Sequence, residues 1–274
     1  MTYDPVKDRL GHLFGHPKLL PLFYRILHLL FLRSWYVRRQ LRQLPSGARV
    51  LDAGTGFGQY AWYVARNTPD ASIVAVDIKK DYLARARRCF EAAGLDHIIA
   101  TRYDDVTAPD VEGPFDCILA VDIMEHLEED VVVMKHFARL LNNSGTVIIS
   151  TPSDQGGSDA SESSEGFIGE HVRDGYGIDD LTSKLATAGL RVERAVYSYG
   201  PWGSLAWRLL IKFPMRLMGL SVLLAPLLAV YYVPVLPLGL FLNWLDVTRT
   251  NRTGTGLLVV ARPGTSASAA KSLP

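Results

Sequence analysis

From Arg49 onward, short apolar runs rich in Val and Ile alternate with stretches whose apolar positions recur every three to four residues. The runs RVLDAG (49–54), SIVAVD (72–77), HIIATRYD (97–104), FDCILAVD (115–122), GTVIISTP (145–152), RVERAVYSYG (191–200) and GTGLLVVARP (254–263) predict strands. Residues 58–67, 79–93, 127–141 and 178–188 predict helices in the gaps. Such alternation predicts an α/β domain: a mostly parallel sheet with helices on both faces. The Asn142-Asn143-Ser144-Gly145 turn and Ala188-Gly189 mark helix ends.

Two apolar segments lie outside this rhythm. LLPLFYRILHLLFLRSWYVRRQLRQL (19–44) is helical in period and ends among Arg33, Arg38, Arg39 and Arg42. VLLAPLLAVYYVPVLPLGLFLNWL (222–245) closes a stretch of twenty-nine uncharged residues, Leu217 to Leu245, more than the roughly 20 that one membrane span needs. It falls between the last two strands, which must be neighbours in one sheet, so the chain has to leave and return on the same side. One crossing would strand the last strand, and two would need about 40 apolar residues. The pattern predicts a shallow hairpin or cap, broken near its middle by Pro226, Pro234 and Pro237. The organisation expected is therefore an N-terminal basic apolar helical segment (1–46), a core (47–200 and 254–264), a hydrophobic membrane-docking or lid insertion (201–253) and a disordered tail (265–274).

Charge sharpens the picture. Residues 1–46 carry eight Lys/Arg against Asp4 and Asp8, residues 47–200 fourteen against twenty-five acids, and residues 201–262 six against Asp246 alone. Two basic, apolar flanks surround an acidic middle, and such flanks are what an anionic membrane surface attracts. Arg208, Lys212 and Arg216, at a spacing of four, and Trp202, Trp207, Trp244, Tyr231 and Tyr232 suit an interface. A lid over an apolar pocket is the alternative, and both imply an apolar acceptor. There is no basic groove with stacking aromatics, which excludes nucleic acid as partner. Cys89 and Cys117 form no metal-type pair or disulfide framework. The first residues, with Asp4, Lys7, Asp8 and Arg9, do not read as a secretory signal, so the cytoplasmic side of a membrane is expected.

VLDAGTGFG (50–58) follows a predicted strand and precedes a predicted helix, the context that gives a glycine loop meaning. The next strand ends at Asp77, where a carboxylate can accept both ribose hydroxyls of an adenosine moiety. Asp52 inside the loop disfavours a pyrophosphate and suits the cationic sulfonium and ammonium of S-adenosylmethionine. Asp105, with Asp104 as the alternative, ends the third strand where adenine amino hydrogens need an acceptor.

VLDAGTGFG, VAVDIKKDYL, YDDV and FDCILAVDIMEHL together resemble the successive motifs of class I S-adenosylmethionine-dependent methyltransferases, the ubiquinone-biosynthesis type among them. The likeness covers about 160 residues, 47–200 and the last strand. It implies a Rossmann-like seven-stranded sheet whose last strand is antiparallel, S-adenosyl-L-methionine as cofactor, and methyl transfer as the activity. By that likeness Gly54, Gly56, Asp77 and Asp105 are donor-site residues, and the cofactor-binding set expected around them adds Asp52, Thr55, Gly58, Ile78, Asp104, Val106, Val121 and Asp122.

Acceptor chemistry is expected after the fourth strand, in VDIMEHLEED, and in GEHVRDGYGIDDL (169–181). His126, His171 and Tyr176 are the candidate catalytic residues, an imidazole titrating usefully near neutral pH. Asp122, Glu125, His126 and His171 resemble the E-x-x-E-H element of metal-dependent O-methyltransferases, with Asp replacing the first Glu. A divalent cation on them is the less favoured reading, since Glu-His after this strand is common in members that use no metal. HVRDGY resembles a segment preceding the acceptor-side helix, so Arg173 and Tyr176 can instead close the pocket. The function expected is O-methylation of a lipid-like, isoprenoid- or quinone-type hydroxyl at a membrane surface contacted through 19–44 and 201–245. Headgroup N-methylation and a non-catalytic donor-binding protein are the alternatives.

Overall fold

A computed structural model describes residues 19–156, 172–221 and 224–264. His171, Glu170, most of the Gly/Ser-rich loop and the 265–274 tail lie outside them. Among the described residues, seven strands form one sheet: β1 (Arg49–Ala53), β2 (Ser72–Asp77), β3 (Ile99–Tyr103), β4 (Phe115–Val121), β5 (Leu141–Pro152), β6 (Leu190–Ser198) and β7 (Gly256–Pro263). Their order is β3-β2-β1-β4-β5-β7-β6. The first five are parallel, and β7 runs antiparallel between β5 and β6. The chain changes direction across the sheet between β1 and β4, so a crevice opens at their carboxyl ends.

Helices cover both faces: α1 (Leu20–Leu30), α2 (Leu32–Leu41), α3 (Gln59–Asn67), α4 (Lys80–Ala92), α5 (Asp130–Leu140) and α6 (Ile178–Thr187). Strand alternation sorts the core. Cys117, Leu119 and Val121 face α2, α3 and α4, whereas Ile118 and Ala120 face α5 and α6. Both faces are therefore dry, which explains the continuous apolar runs of the central strands.

Tertiary contacts overrode the local pattern at four places. The helix expected over 19–44 is two helices, because Phe31 is extended (φ −88°, ψ 113°) and packs with Leu30 among Leu210, Ile211 and Leu242. The helix expected from 127 starts at Asp130; before it, Arg173 holds the carbonyls of Leu127 and Glu128, and Met124–His126 is one 3₁₀ turn. The turn expected at 142–145 is absorbed into β5, although Asn142 Oδ1 still accepts the Ser144 N–H at 2.9 Å. Pro234 and Pro237 do not break their helix but sit inside it.

The insertion is an antiparallel pair of helical arms. The outgoing arm runs through α7 (Pro201–Trp207), a π-helical turn (Arg208–Lys212) and α8 (Phe213–Leu220); α9 (Ala225–Thr248) returns. Pro214 lacks the N–H that would bond the Leu210 carbonyl, so the ladder slips there. Tyr232 Oη donates to Leu210 O at 2.6 Å and Tyr231 Oη to Leu209 O at 2.9 Å, satisfying the carbonyls that the slip frees. A Cβ on Gly239 would lie 2.5 Å from Leu210 Cγ, so the arms touch closely there. At the root, Asp246 is 0% exposed and accepts from the Tyr36 hydroxyl, the Gly203 N–H and the Asn251 amide.

Candidate active site

The crevice is built from four chain segments. The glycine loop leaves β1 with Gly54, Gly56 and Gly58 at φ 73°, 54° and 80°, the left-handed region that side chains resist. A Cβ on Gly54 would strike Ile123 at 2.6 Å, because the segment after β4 packs directly on the loop. Gly56 meets nothing within 4 Å, so the loop is open on the side where a ligand would approach. Asp77 Oδ2 accepts the Gly56 N–H at 2.8 Å and Oδ1 the Lys79 N–H at 2.8 Å. Each oxygen keeps a lone pair, which fits a carboxylate placed for vicinal hydroxyls beside an open loop.

Asp52 has a different part. It is 2% exposed, and its Oδ2 accepts Thr55 Oγ1 at 2.6 Å and the Ala61 N–H at 3.2 Å. It thus ties the loop to an otherwise unpaired donor in the first turn of α3. Burial pushes its carboxyl up to about 6, against the pull of those two donors. Asp104 is likewise turned inward, accepting the N–H groups of Asp105 and Asp110 at 2.9 and 3.1 Å. Asp105 is exposed at the end of β3 with Oδ1 bonded to Thr107, the placement expected of an adenine-side acceptor. Ile78 is exposed beside Asp77, Thr55 and Val106 are buried, and Val121 ends the buried run of β4.

Asp122 lies at the carboxyl end of β4, beside the glycine loop. Its backbone is left-handed (φ 51°), and its carboxylate forms an ion pair with Arg33 of α2. Tyr199, the other end of this edge, also has positive φ (55°) and accepts the Arg33 N–H through its hydroxyl at 3.2 Å. Such strain at neighbouring crevice positions is held by the surrounding contacts. Burial opposes the charge on Arg33, and Asp122, with Tyr60, Tyr199 and Glu125, more than restores it. Glu125 is 2% exposed, with Oε2 accepting Thr151 Oγ1 at 3.1 Å. Burial first, then Asp122, pushes its carboxyl up to about 8.

Asp122, Glu125 and His126 do not stack as on one helix, because φ at Asp122 reverses the chain and only a 3₁₀ turn follows. Among the described residues, no three His, Cys, Asp or Glu side chains converge as a metal would need. His126 is half-buried on that turn. Tyr176 is 0% exposed, and its hydroxyl donates to Met124 O at 3.0 Å and Asp130 Oδ2 at 2.8 Å. With Arg173 and Lys184 also on Asp130, it anchors the segment after β4, which does not support a catalytic part for it. Burial works against the Asp130 charge, and Lys184, Tyr176 and Arg173 outweigh it and hold the carboxyl low.

Sequence reasoning left Arg33, Tyr60 and Tyr199 without a role. Arg33 looks like any residue of a basic flank until α2 brings it to the crevice. Asp246 carried a signal: one acid among sixty-two residues of apolar and basic chain.

The sheet order with its antiparallel β7, and the glycine loop answered by Asp77, are the Rossmann-like fold and loop arrangement of class I S-adenosylmethionine-dependent methyltransferases. Residues 50–145 match a family model described as a methyltransferase domain. A ubiquinone biosynthesis O-methyltransferase of Xanthomonas axonopodis pv. citri (strain 306) is 29% identical over 119 residues, 43% of this chain and 48% of that protein. The chain thus spans about half the length of that relative. Among solved structures, a Galdieria sulphuraria protein described as a sarcosine dimethylglycine methyltransferase superposes with a TM-score of 0.59 at 20% identity, covering 85% of this chain and 84% of that one. The mitomycin 7-O-methyltransferase MmcR gives a TM-score of 0.55 at 14% identity, covering 93% and 60%. At those identities the structures are alike in fold.

Proposed function

We propose that the protein is an S-adenosylmethionine-dependent methyltransferase that methylates a hydroxyl of an apolar, lipid-like acceptor at the cytoplasmic side of a membrane. An isoprenoid- or quinone-type hydroxyl fits best, in keeping with the O-methyltransferase named among the relatives. One observation carries the reading: Leu32 and Arg33 are consecutive, yet Leu32 lies against Gly203 at the root of the apolar hairpin while Arg33 pairs with Asp122 in the crevice. The greasy insertion is thereby planted at the mouth of the site.

Gly54, Gly56 and Asp77 would hold the donor, with Asp105 on its adenine side. Bound there, the donor supplies a methyl group already activated on sulfur, so the protein has to orient the acceptor and remove its proton. The Arg33–Asp122 pair balances its own charges, and burial and Asp122 disfavour the charged form of Glu125, which suits an uncharged, apolar molecule. His126 on the adjacent turn is the first candidate base for the hydroxyl proton, and His171 is the second.

The test is incubation with donor carrying an isotopic methyl label and fractionated membrane lipids, with mass analysis of the labelled product. Label in a lipid-soluble ether is the expected result. Label on a headgroup nitrogen, or none with any fraction while donor still binds, refutes it. His126→Ala should lower kcat with S-adenosylhomocysteine affinity unchanged.

A further inference from the structure

We propose that the outer faces of α1 and α9 form one docking surface for an anionic lipid bilayer, and that docking through α1 tightens the glycine loop on the donor. The second half rests on the reading of that loop as the donor site; the first does not.

Along α9, Leu227, Val230, Val233, Leu238, Phe241 and Trp244 are all exposed at spacings of three to five residues, with Val230 and Val233 at 72% and 74%. Pro226–Thr248 is long and apolar enough to cross a membrane, yet only 17% of its most apolar stretch is buried, so it is not a core helix. A row of large apolar side chains facing out over a whole helix marks an interaction surface. On α1, Leu19, Leu22 and Leu29 are exposed in the same manner. The two helices touch, because Leu30 at the end of α1 packs in one cluster with Leu210 and Leu242 of the hairpin.

Charge selects the occupant. Arg208, Lys212 and Arg216 follow one another at intervals of four along the outgoing arm, and Arg25 sits on α1. Phosphate headgroups complement that row. A second copy joined by a twofold axis would set the same basic patch near itself.

The docking is shallow. Both arms leave one edge of the sheet, where β6 and β7 are paired, so α9 cannot end on the far side of a bilayer. Pro234 and Pro237 also remove the N–H groups that would bond the carbonyls of Val230 and Val233, on the most exposed part of the helix. In hydrocarbon each such carbonyl goes unsatisfied, whereas headgroup water satisfies it. The helix therefore lies at headgroup depth with its apolar side chains pointing inward.

The inner face of α1 reaches the donor loop. Tyr24 Oη donates to Phe57 O, His28 Nε2 lies 3.3 Å from Gln59 O, and the Phe23 ring meets the Phe57 ring edge-on at 6.1 Å. These contacts bracket Gly58. A bilayer that holds α1 from outside holds the loop from behind, and by linkage donor and membrane strengthen each other's binding equally.

Flotation on phosphatidylcholine vesicles with and without phosphatidylglycerol, and S-adenosylhomocysteine calorimetry with and without those vesicles, test both halves. The full chain should float with the phosphatidylglycerol vesicles alone, and Val230→Glu/Val233→Glu should stay behind. S-adenosylhomocysteine should bind about fivefold more tightly on the anionic vesicles, a gain that Leu22→Glu removes. Undiminished flotation of the double variant, or a solution dimer that the same substitutions dissociate, overturns the docking surface. Unchanged affinity on vesicles overturns the coupling. If S-adenosylhomocysteine binds under no condition, the donor reading and the coupling fall together while flotation still judges the docking.

Discussion

Tyr36 Oη donates to Asp246 Oδ1 at 2.8 Å, joining a helix before the first strand to one before the last, 210 residues apart. Asp246 collects the Gly203 N–H at 2.9 Å and the Asn251 amide at 3.0 Å on the same carboxylate. One buried acid with three neutral donors therefore closes the hairpin at its root and fastens it to α2. Removing it strands those donors away from water.

Asp246→Ala should accordingly destabilise the chain by about 2–3 kcal/mol, and Tyr36→Phe, which removes the hydroxyl's bonds to Asp246 and Asn251 but leaves the Gly203 and Asn251 donors on the carboxylate, by less, about 1 kcal/mol. Urea unfolding of the two variants checks the ranking. Equal costs would mean that Tyr36 alone holds the root.

At the donor loop, Asp77→Ala should weaken S-adenosylhomocysteine binding by about tenfold or more, the worth of a hydrogen bond to a charged group. Gly56→Ala should weaken it too, because the new methyl enters the open side of the loop and φ 54° strains it. Calorimetry reads both. Wild-type affinity in Asp77→Ala removes Asp77 from the site.

The Arg33–Asp122 pair predicts non-additivity. Each side chain is about three-quarters buried (24% and 26% exposed), so breaking the pair from either side should cost about 2 kcal/mol, discounted for partial screening from the figure for fully buried pairs. Arg33→Met with Asp122→Asn should cost less than the sum of the single changes. A double-mutant cycle by chemical denaturation measures the difference, and strict additivity denies the coupling.

His28 gives the fold a pH dependence. Its ring packs against Tyr60 and Tyr63, and burial, followed by the Arg38 guanidinium, pushes it down to about 4. The folded chain holds it neutral while the unfolded chain protonates it below about 6.5, so its contribution is complete above about pH 6.5 and is lost as pH falls towards about 4. Relative to His28→Gln, the wild type should lose urea resistance between neutral pH and about pH 5. Parallel titrations of the two proteins would exclude His28 as the source.

Strand periodicity and the loop between β1 and α3 were readable in the chain itself, because burial on both faces demands apolar runs and a tight approach demands glycine. Asp77 was readable for the same reason: it ends a strand at a fixed distance from the loop. Between β6 and β7, connectivity alone required the apolar insertion to return on its own side. What no local pattern held was the pairing of distant segments. Arg33 reached the crevice only when α2 crossed the carboxyl edge of the sheet, and Asp122 met it through a left-handed backbone that periodicity does not register. Pro234 and Pro237 remained within one helix although each removes a backbone N–H, which local pattern alone reads as a break. Sequence thus determined which elements form and where the glycine loop and its facing acid lie; the tertiary structure decided which charges meet, since Coulombic partners are chosen by proximity in space and not along the chain.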